Sequence, residues 1–251
     1  MTRFRIRSAA ATHVGAVRTV NEDSILSRDD LCLWVVADGM GGHANGQWAS
    51  TTLVETIDAV QLGDDDPYPH LLGALYAGNG AIVRAGAANC ASMGTTVVVL
   101  HLGDREVTGL WVGDSRIYRR RDGVLSQLTR DHSMVQELVD RGSIAADEAE
   151  THPMAHVLSR AVGMDEELSH DAFRDEAAIG DVYLLCSDGL SKVLTHDAID
   201  ARLAASPARA VEGLIADTLA AGAPDNVSVI VVSLEQATMI APASGVQAVD
   251  Q

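Results

Sequence analysis

Three short apolar runs in this chain each lead to an aspartate, and this recurrence constrains the fold more than any other feature of the sequence. Residues 31–37 are followed by Asp38, residues 110–112 by Gly113 and Asp114, and residues 182–186 by Ser187 and Asp188. Each run is too short for a typical helix and is flanked by polar residues or glycines, which is typical of a buried strand. We therefore expect three core strands that end in carboxylates.

These strand-end carboxylates predict a metal site if the strands are neighbours in one core. Clustered carboxylate oxygens are the ligands that Mg²⁺ or Mn²⁺ requires. A fourth acid, Asp225, precedes the predicted strand 226–232 and would approach the same edge from the opposite chain direction. A single aspartate at a strand end is more often a turn former, because its side chain binds the backbone that follows. The repetition favours the metal site over that alternative.

Length and composition favour one globular domain without a nucleic-acid partner. The chain has 251 residues, of which 47% are hydrophobic, and β-rich folds reach this size as single units. The formal net charge of −17 repels nucleic-acid phosphates and anionic membrane surfaces. No apolar run approaches the ~18 residues of a membrane helix. We expect no nucleic-acid or membrane partner, and we expect the protein to be a monomer.

The cysteines and the N-terminal residues predict a cytoplasmic protein. Cys32, Cys90 and Cys186 are an odd number without a metal-binding spacing. Two of them lie inside apolar strand runs, where cysteine acts as a small hydrophobe. Residues 1–7 are basic but have no apolar segment behind them, so a secretory signal is not indicated. The cysteines indicate a reducing cytoplasm, and the N-terminal residues predict that the protein is not exported by a signal peptide.

The order of the predicted elements favours an α+β fold with antiparallel sheets. Asp122 and Gly123 form a dipeptide that is typical of a tight hairpin. Hairpins with grouped helices favour antiparallel sheets covered by helices over a parallel, doubly wound sheet. Besides the strands above, periodicity and capping predict helices over residues 47–60, 70–87, 196–203 and 207–221, and strands over 3–13, 94–102, 106–113, 115–120, 124–129 and 226–234.

Residues 131–163 interrupt this pattern with short helical and polar segments that lack a sustained apolar stripe. We interpret them as a surface flap within a single domain that spans residues 1–235. Residues 236–251 are rich in Ala, Pro, Ser and Gly and have too little apolar pattern to order themselves. The sequence therefore predicts a flexible C-terminal tail.

Arg18 lies in a polar loop shortly before the adjacent acids Glu22 and Asp23. An arginine beside acids usually forms a surface ion pair. In an enzyme that processes phosphate, the same arginine would clamp the phosphate through its planar fork while the acids hold metal-bound waters. Two divalent ions bridged by Asp38 would then activate a water for hydrolysis without a covalent intermediate.

Covalent phosphatase chemistry is disfavoured by the residues found at diagnostic spacings. A cysteine-dependent phosphatase needs an arginine six positions after its nucleophile, but Cys90 is followed there by Thr96 and Cys186 by Lys192. The chain also has no Gly-x-Ser-x-Gly elbow and no Gly-x-x-x-x-Gly-Lys-Ser/Thr loop. Serine hydrolase and P-loop chemistry are therefore excluded.

Six motifs occur in an order that resembles the PPM family, the type 2C metal-dependent serine/threonine protein phosphatases, and most resembles its short bacterial members. The motifs are Arg18 with residues 21–23, then residues 38–43, 94–96, 113–116, 187–189 and 225–226. The resemblance covers roughly residues 8–234. It implies a four-layer α-β-β-α sandwich, in which two antiparallel sheets are flanked by antiparallel helix pairs. It also implies a flap insertion at residues 131–163 and a dinuclear Mn²⁺ or Mg²⁺ centre at one end.

The resemblance further implies a role for each matching residue. Asp38 would bridge both core metals, Gly39 would offer its backbone carbonyl to one, and Asp188 and Asp225 would complete the other. Glu22 and Asp23 would act through metal-bound water, Arg18 would bind the substrate phosphate, and Asp114 with Asp188 would hold a weaker third metal. The predicted catalytic residues are accordingly Arg18, Asp38 and Asp114.

Two positions depart from the family pattern. Met40 stands where eukaryotic members carry a histidine as general acid, as it does in bacterial members, and His156 stands in the flap where we expect asparagine. The leaving alkoxide would then receive its proton from His43 or from water on a third metal held by Asp114. We favour the metal-bound water, because a bound cation lowers its pKa toward neutrality.

The function that the resemblance implies is hydrolysis of phosphoserine and phosphothreonine in proteins, by direct attack of a metal-bridged water. The substrates would be phosphoproteins made by a serine/threonine kinase in signal transduction. A pseudophosphatase that only binds and regulates phosphoproteins would be indicated by lost ligands, and none is lost. A phosphodiesterase or nuclease is disfavoured by the net charge of −17 and by the absence of a histidine-rich metal motif.

Overall fold

The fold is built from two β-sheets that stack face to face, with helices on both outer sides. A computed structural model describes residues 4–42, 44–63 and 65–237. Its strands are β1 (Phe4–His13), β2 (Asp23–Arg28), β3 (Leu33–Met40), β4 (Gly94–Thr95), β5 (Val97–Leu102), β6 (Glu106–Val112), β7 (Arg116–Arg121), β8 (Val124–Gln127), β9 (Asp171–Glu176), β10 (Val182–Cys186) and β11 (Val227–Gln236). Its helices are α1 (Ala44–Asp58), α2 (Pro67–Asn89), α3 (Met134–Asp140), α4 (Asp188–Ser191), α5 (His196–Leu203) and α6 (Pro207–Ala220), with a 3₁₀ helix at Ala146–Thr151.

Among the described residues, every strand pairing is antiparallel, as the hairpin signal and the grouped helices predicted. One sheet has the order β1-β11-β10-β7-β8 and the other has the order β2-β3-β5-β6-β9, with β4 paired to the end of β3. The three strands that lead to the aspartates are thus divided between the sheets, although β3 does not end at Asp38 but continues to Met40, where it pairs with β4. β3 and β6 belong to one sheet and β10 to the other, so the carboxylates meet only because the two sheets are stacked.

Three apolar layers hold the sheets and helices together. In β3, Leu33, Val35 and Ala37 pack against α1 and α2. The residues between them, Trp34 and Val36, lie between the two sheets. On the far side, α5 and α6 pack against the outer face of β10 and β11. Both faces of these strands are covered, which explains why their sequences are almost continuously apolar. The expected four-layer α-β-β-α sandwich is confirmed.

The second helix is longer than its glycines suggested. The sequence predicted residues 70–87, but α2 spans Pro67–Asn89, because Asp66 caps its N-terminus by accepting a hydrogen bond from the Tyr68 amide at 3.1 Å. Gly78 in this helix faces α1, since a Cβ there would lie 2.5 Å from Leu53 Cδ1 and the buried Leu53 side chain would have to shift. The residue that weakens helix propensity therefore allows α1 and α2 to approach closely.

The sequence pattern did not indicate β9, which forms the edge of its sheet beside β6. Its side chains alternate between partial and full exposure, and four of its six residues, Asp171, Arg174, Asp175 and Glu176, are charged. Charged side chains are a common feature of edge strands, because they discourage pairing with another chain. Such a strand lacks the apolar alternation by which the core strands were recognised.

Residues 131–163, for which a flap remains the prediction, follow β8 and include α3 and the 3₁₀ helix. Isolated bridges pair Ser133 with Leu158 and Thr95 with Val162.

Of the predicted tail, residues 238–251 lie outside the described residues, and Gln236 is still part of β11. None of the described helices combines the length and the apolar character that crossing a membrane requires.

Candidate metal centre

One end of the sandwich carries an open cleft of about 1020 Å³, formed where β3 and α4 meet Thr96, the loops that follow β6 and precede β11, and residues 156–161. The predicted site residues in its wall are Arg18, Glu22, Asp38, Gly39, Asp114, Asp188 and Asp225. Asp23 lies directly behind this wall, since it is opposite Asp38 in the pairing of β2 with β3. The structure therefore brings all the predicted site residues of separate motifs to one place.

The threonines of the 94–96 motif fix the backbone around Asp38. The Asp38 amide donates to Thr96 Oγ1 at 3.1 Å, and the Asp38 carbonyl accepts from the Thr96 amide at 2.8 Å and from Thr95 Oγ1 at 3.0 Å. With its backbone held on both sides, Asp38 can direct its carboxylate into the cleft. This motif is therefore a support for the site.

Gly39 and Gly189 allow the backbones around the cleft to approach closely. A Cβ on Gly39 would lie 2.2 Å from the Gly46 carbonyl oxygen, and a Cβ on Gly189 would lie 1.9 Å from the carbonyl oxygen of Asn226. The first contact places the start of α1 against the end of β3. The second places α4, which begins at Asp188, against the residue that follows Asp225.

Asn226 joins the two loops that carry the remaining acids. Its side-chain amide donates to the carbonyls of Val14 and Val20 at 2.9 and 3.0 Å, and its Oδ1 accepts from the Glu22 amide at 2.8 Å. The loop that contains Arg18 and Glu22 is therefore tied to Asp225 by a buried asparagine. This explains why the Asp-Asn pair of the motif belongs together.

Asp23 is a buried carboxylate with an unfilled acceptor. Its Oδ2 atom accepts hydrogen bonds from Ser187 Oγ at 2.9 Å and Ser228 Oγ at 2.6 Å, whereas its buried Oδ1 atom has no partner among the described residues. Burial raises its pKa to about 7, and the negative charges of Asp188 and Asp225 add to the rise. An orphaned carboxylate oxygen within an acidic cluster fits a site that takes up a cation with its water shell.

Mutual repulsion also acts on the carboxylates that face the cleft. Burial raises the pKa of Asp38 well above its ordinary value, and the charges of Asp23, Asp188 and Asp114 raise it further. The pKa of Asp114 is raised by burial and by the charge of Asp188. Added positive charge would relieve this repulsion, and oxygen donors without histidine select hard cations such as Mn²⁺ or Mg²⁺.

The acids are gathered but do not enclose an ion by themselves. Among the described residues, no group of three or more acidic, histidine or cysteine side chains has the geometry of a metal cage. Arg18 Nη2 forms an ion pair with Asp225 Oδ2 at 2.8 Å, and Lys192 forms ion pairs with both Asp114 and Asp188. An open arrangement of this kind needs backbone carbonyls and waters to complete a coordination shell.

Two cationic residues of the cleft were not identified from the sequence. Lys192 follows α4, and the only signal for it was its spacing of four residues from Asp188, which places both on one helical face. Arg160 lies in the cleft wall and pairs with Asp171 of β9 at 3.1 Å, a contact that sequence spacing does not reveal. His156 and Met40 also line the cleft, whereas His43 lies outside the described residues.

Comparisons with known proteins agree with this geometry. The family model described as Protein phosphatase 2C matches residues 12–221. The serine/threonine protein phosphatase PstP of Mycobacterium tuberculosis is 39% identical over 233 residues, which cover 90% of this chain but 44% of that relative. The chain therefore spans less than half the length of this relative.

Two solved structures have the same fold. PppA, a key regulatory component of T6SS in Pseudomonas aeruginosa, superposes with a TM-score of 0.86 at 40% identity, covering 91% of this chain and 97% of its own. The catalytic domain of PstP in complex with two manganese ions superposes with a TM-score of 0.83 at 37% identity, covering 92% of this chain and 98% of its own. With its six ordered motifs and its acidic cleft between stacked sheets, the chain belongs to the PPM family, the type 2C protein phosphatases.

Proposed function

We propose that the chain is a metal-dependent phosphatase that hydrolyses phosphoserine and phosphothreonine in proteins. The observation that carries this proposal is the convergence of Asp38, Asp114, Asp188 and Asp225, from four separate segments, on one cleft. The raised pKa values of Asp38 and Asp114 and the orphaned oxygen of Asp23 support a cluster built to receive cationic charge. The family membership and the manganese-bound relative support the same conclusion.

In this proposal the core ions are two Mn²⁺ or Mg²⁺, held by Asp38, Asp188, Asp225 and the carbonyl of Gly39. Glu22 and Asp23 act indirectly, through water. When bound, the ions would supply Lewis-acid chemistry, by activating water and neutralising the phosphate. Asp38 has the central position, because the charges of Asp23, Asp188 and Asp114 all act on its carboxylate.

Arg18 orients the substrate phosphate in this proposal. Its guanidinium lies in the cleft wall, it is half exposed, and its observed partner Asp225 is one of the proposed ligands. A phosphate that enters the cleft would exchange one anionic partner of the guanidinium for another. A third ion with its water as proton donor is expected at Asp114 and Asp188, but Lys192 lies between these two carboxylates.

The substrates proposed here are phosphorylated proteins made by a serine/threonine kinase. The cleft is open and carries partly exposed apolar side chains, Val157 and Met164, which suit a peptide segment better than a small polar metabolite. We also propose that the protein acts as a monomer. The three free cysteines support a location in the cytoplasm, where thiols stay reduced.

The test measures phosphate release from a phosphothreonine peptide with Mn²⁺, with Mg²⁺ and after chelation. We expect release only with the ions, and we expect Asp38→Asn to lower turnover by about 10² or more, because a principal charge of the site is removed. Asp104→Asn, at an exposed turn outside the cleft, is the matched control and should retain turnover. Full activity after exhaustive chelation would refute the proposal. Peptide binding without hydrolysis would support a pseudophosphatase instead.

A further inference from the structure

Lys192 occupies the space between two of the proposed metal-site carboxylates. Its Nζ atom donates to Asp114 Oδ2 at 2.9 Å and to Asp188 Oδ2 at 2.6 Å. The three side chains are withdrawn from solvent, with exposed fractions of 28% for Lys192, 7% for Asp114 and 18% for Asp188. This ammonium group is therefore bound by two carboxylates in a site with little competing water.

The position of Lys192 is fixed by the local fold. Its amide donates to the Asp188 carbonyl at 2.9 Å, which closes the last turn of α4 and leaves Lys192 one turn beyond Asp188. Asp114 is held by its neighbours, because the Gly113 amide donates to His132 Nδ1 at 3.2 Å and Ser115 shares a hydrogen bond with Thr96 at 2.7 Å. The two carboxylates and the ammonium are therefore brought together by ordered backbone.

The choice of lysine at this position is unusual for this chain. Of its 18 Lys and Arg residues, Lys192 is the one lysine and all the others are arginine. Arginine presents a planar fork, whereas the lysine ammonium is a compact point charge with three donors. A compact cation between two carboxylates has the same charge sign and oxygen partners as a bound metal ion.

We propose that Lys192 is a tethered cation that takes the place of the third divalent ion and holds Asp114 and Asp188 in position. This inference rests on the proposed function, since it concerns the same metal centre. A third ion would have to displace two charge-assisted hydrogen bonds and would lie beside the displaced ammonium. Lys192 binds Oδ2 of each carboxylate, so Asp188 keeps its Oδ1 atom for a core ion.

The pair formed by Arg18 and Asp225 provides a contrast. It has one hydrogen bond at 2.8 Å, and its side chains are 50% and 39% exposed. Water can replace that contact at little cost, so Asp225 is free to turn to a core ion. The Lys192 contacts are more buried and twice as many, and we expect them to persist when the core ions bind.

The first experiment counts bound ions by equilibrium dialysis against Mn²⁺ and elemental analysis. We expect two ions per chain for the wild type and three for Lys192→Met, which keeps the length of the side chain but removes its charge. The third ion should be lost again in the double variant with Asp114→Asn. Arg18→Met, which also removes one positive charge from the cleft wall, should bind two.

The second measurement follows the ammonium itself and needs no variant. Because the chain has one lysine, ¹⁵N-lysine labelling gives one side-chain ammonium signal in the NMR spectrum. We expect a protected signal that persists at saturating Mg²⁺. Three ions on the wild type, two on Lys192→Met, or a signal that becomes that of a free lysine when Mg²⁺ is added would overturn the inference while leaving the proposed function intact. A wild-type chain that binds no ion would overturn both.

Discussion

Single side chains in the cleft wall and next to it form ion pairs of similar length but of different exposure. Arg116 and Asp131 form a largely buried, bidentate pair, whereas Arg18 and Asp225 remain half exposed and share one hydrogen bond. Exposed pairs contribute at most about 1 kcal/mol, so they can be exchanged for a ligand at small cost. Arg18 is therefore held loosely enough to change partners, as a phosphate-binding residue must.

Arg18→Ala should raise KM and lower kcat/KM for a phosphopeptide, and Arg18→Lys should restore little, because the bidentate fork is lost. The matched control is Arg7→Ala. Arg7 pairs with Glu235 at 3.1 Å, and its side chain is 49% exposed, but it lies away from the cleft wall. The measurement is steady-state kinetics of the three variants and the wild type. Equal kinetics for wild type and Arg18→Ala would return Arg18 to the surface ion-pair interpretation.

The residues that were predicted from the sequence are those that belong to contiguous motifs. Asp38, Asp114 and Asp188 follow apolar runs of sequence, where both the run and the acid can be recognised locally. Lys192 and Arg160 were missed, because their approach to the cleft depends on how α4 and the 131–163 segment dock. Ordered motifs can thus identify the acids that gather at the cleft, whereas the positive charges beside those acids have to be read from tertiary structure.

At the level of elements, glycines determine how closely the segments that carry the acids can pack. Gly189 lies at the second position of α4, and the Asn226 carbonyl occupies the space where a side chain would begin. A larger residue would push α4 away from the start of β11. Because Asp188 and Asp225 lie on these two segments, the distance between the two carboxylates depends on this glycine.

Gly189→Ala should therefore destabilise the protein and weaken Mn²⁺ binding. Gly73→Ala is the control, since Gly73 is an exposed residue within α2 and a Cβ there meets no atom within 4 Å. The control should stabilise the fold by about 1 kcal/mol, through helix propensity. Denaturant unfolding and Mn²⁺ titration of both variants check this. Wild-type stability and Mn²⁺ affinity in Gly189→Ala would show that α4 can move without consequence.

Elements were predicted well where both faces of a strand are buried and less well where tertiary contacts override local preference. β3, β10 and β11 are apolar on both sides and were recognised. β9 is polar because it lies at a sheet edge, and α2 extends through several glycines because it packs closely on α1. Register and edge position arise from the whole sheet, so a local pattern cannot contain them.

On the scale of the whole molecule, the acidic cluster lies between two stacked sheets of a protein that already has a net charge of −17. The cluster is held together by the surrounding core, which opposes its electrostatic repulsion. Metal-free protein should therefore be less stable than the size of its core suggests. Ions that bind only the folded state should restore that stability by mass action.

The sign of the pH dependence follows from Asp23, whose pKa rises from 3.8 to about 7 on folding. Between these values the folded chain binds a proton that the unfolded chain has released, so metal-free stability falls as pH rises through this window. Since one pKa unit corresponds to about 1.4 kcal/mol, the loss at pH 8 amounts to a few kcal/mol. A bound divalent ion such as Mn²⁺ would have to compete with this proton at low pH and would relieve the repulsion at high pH.

The increase in melting temperature caused by Mn²⁺ should therefore be larger at pH 8 than at pH 5.5. Calorimetric scans of chelated and Mn²⁺-saturated protein at several pH values measure it. Asp23→Asn keeps the size of the side chain and removes its charge, so its metal-free melting temperature should vary less between pH 5.5 and 8 than that of the wild type. The prediction is wrong if the melting temperature of the metal-free wild type rises steadily across this range. It is also wrong if the melting temperature of Asp23→Asn falls as steeply as that of the wild type, because the pH dependence would then not come from the Asp23 carboxylate.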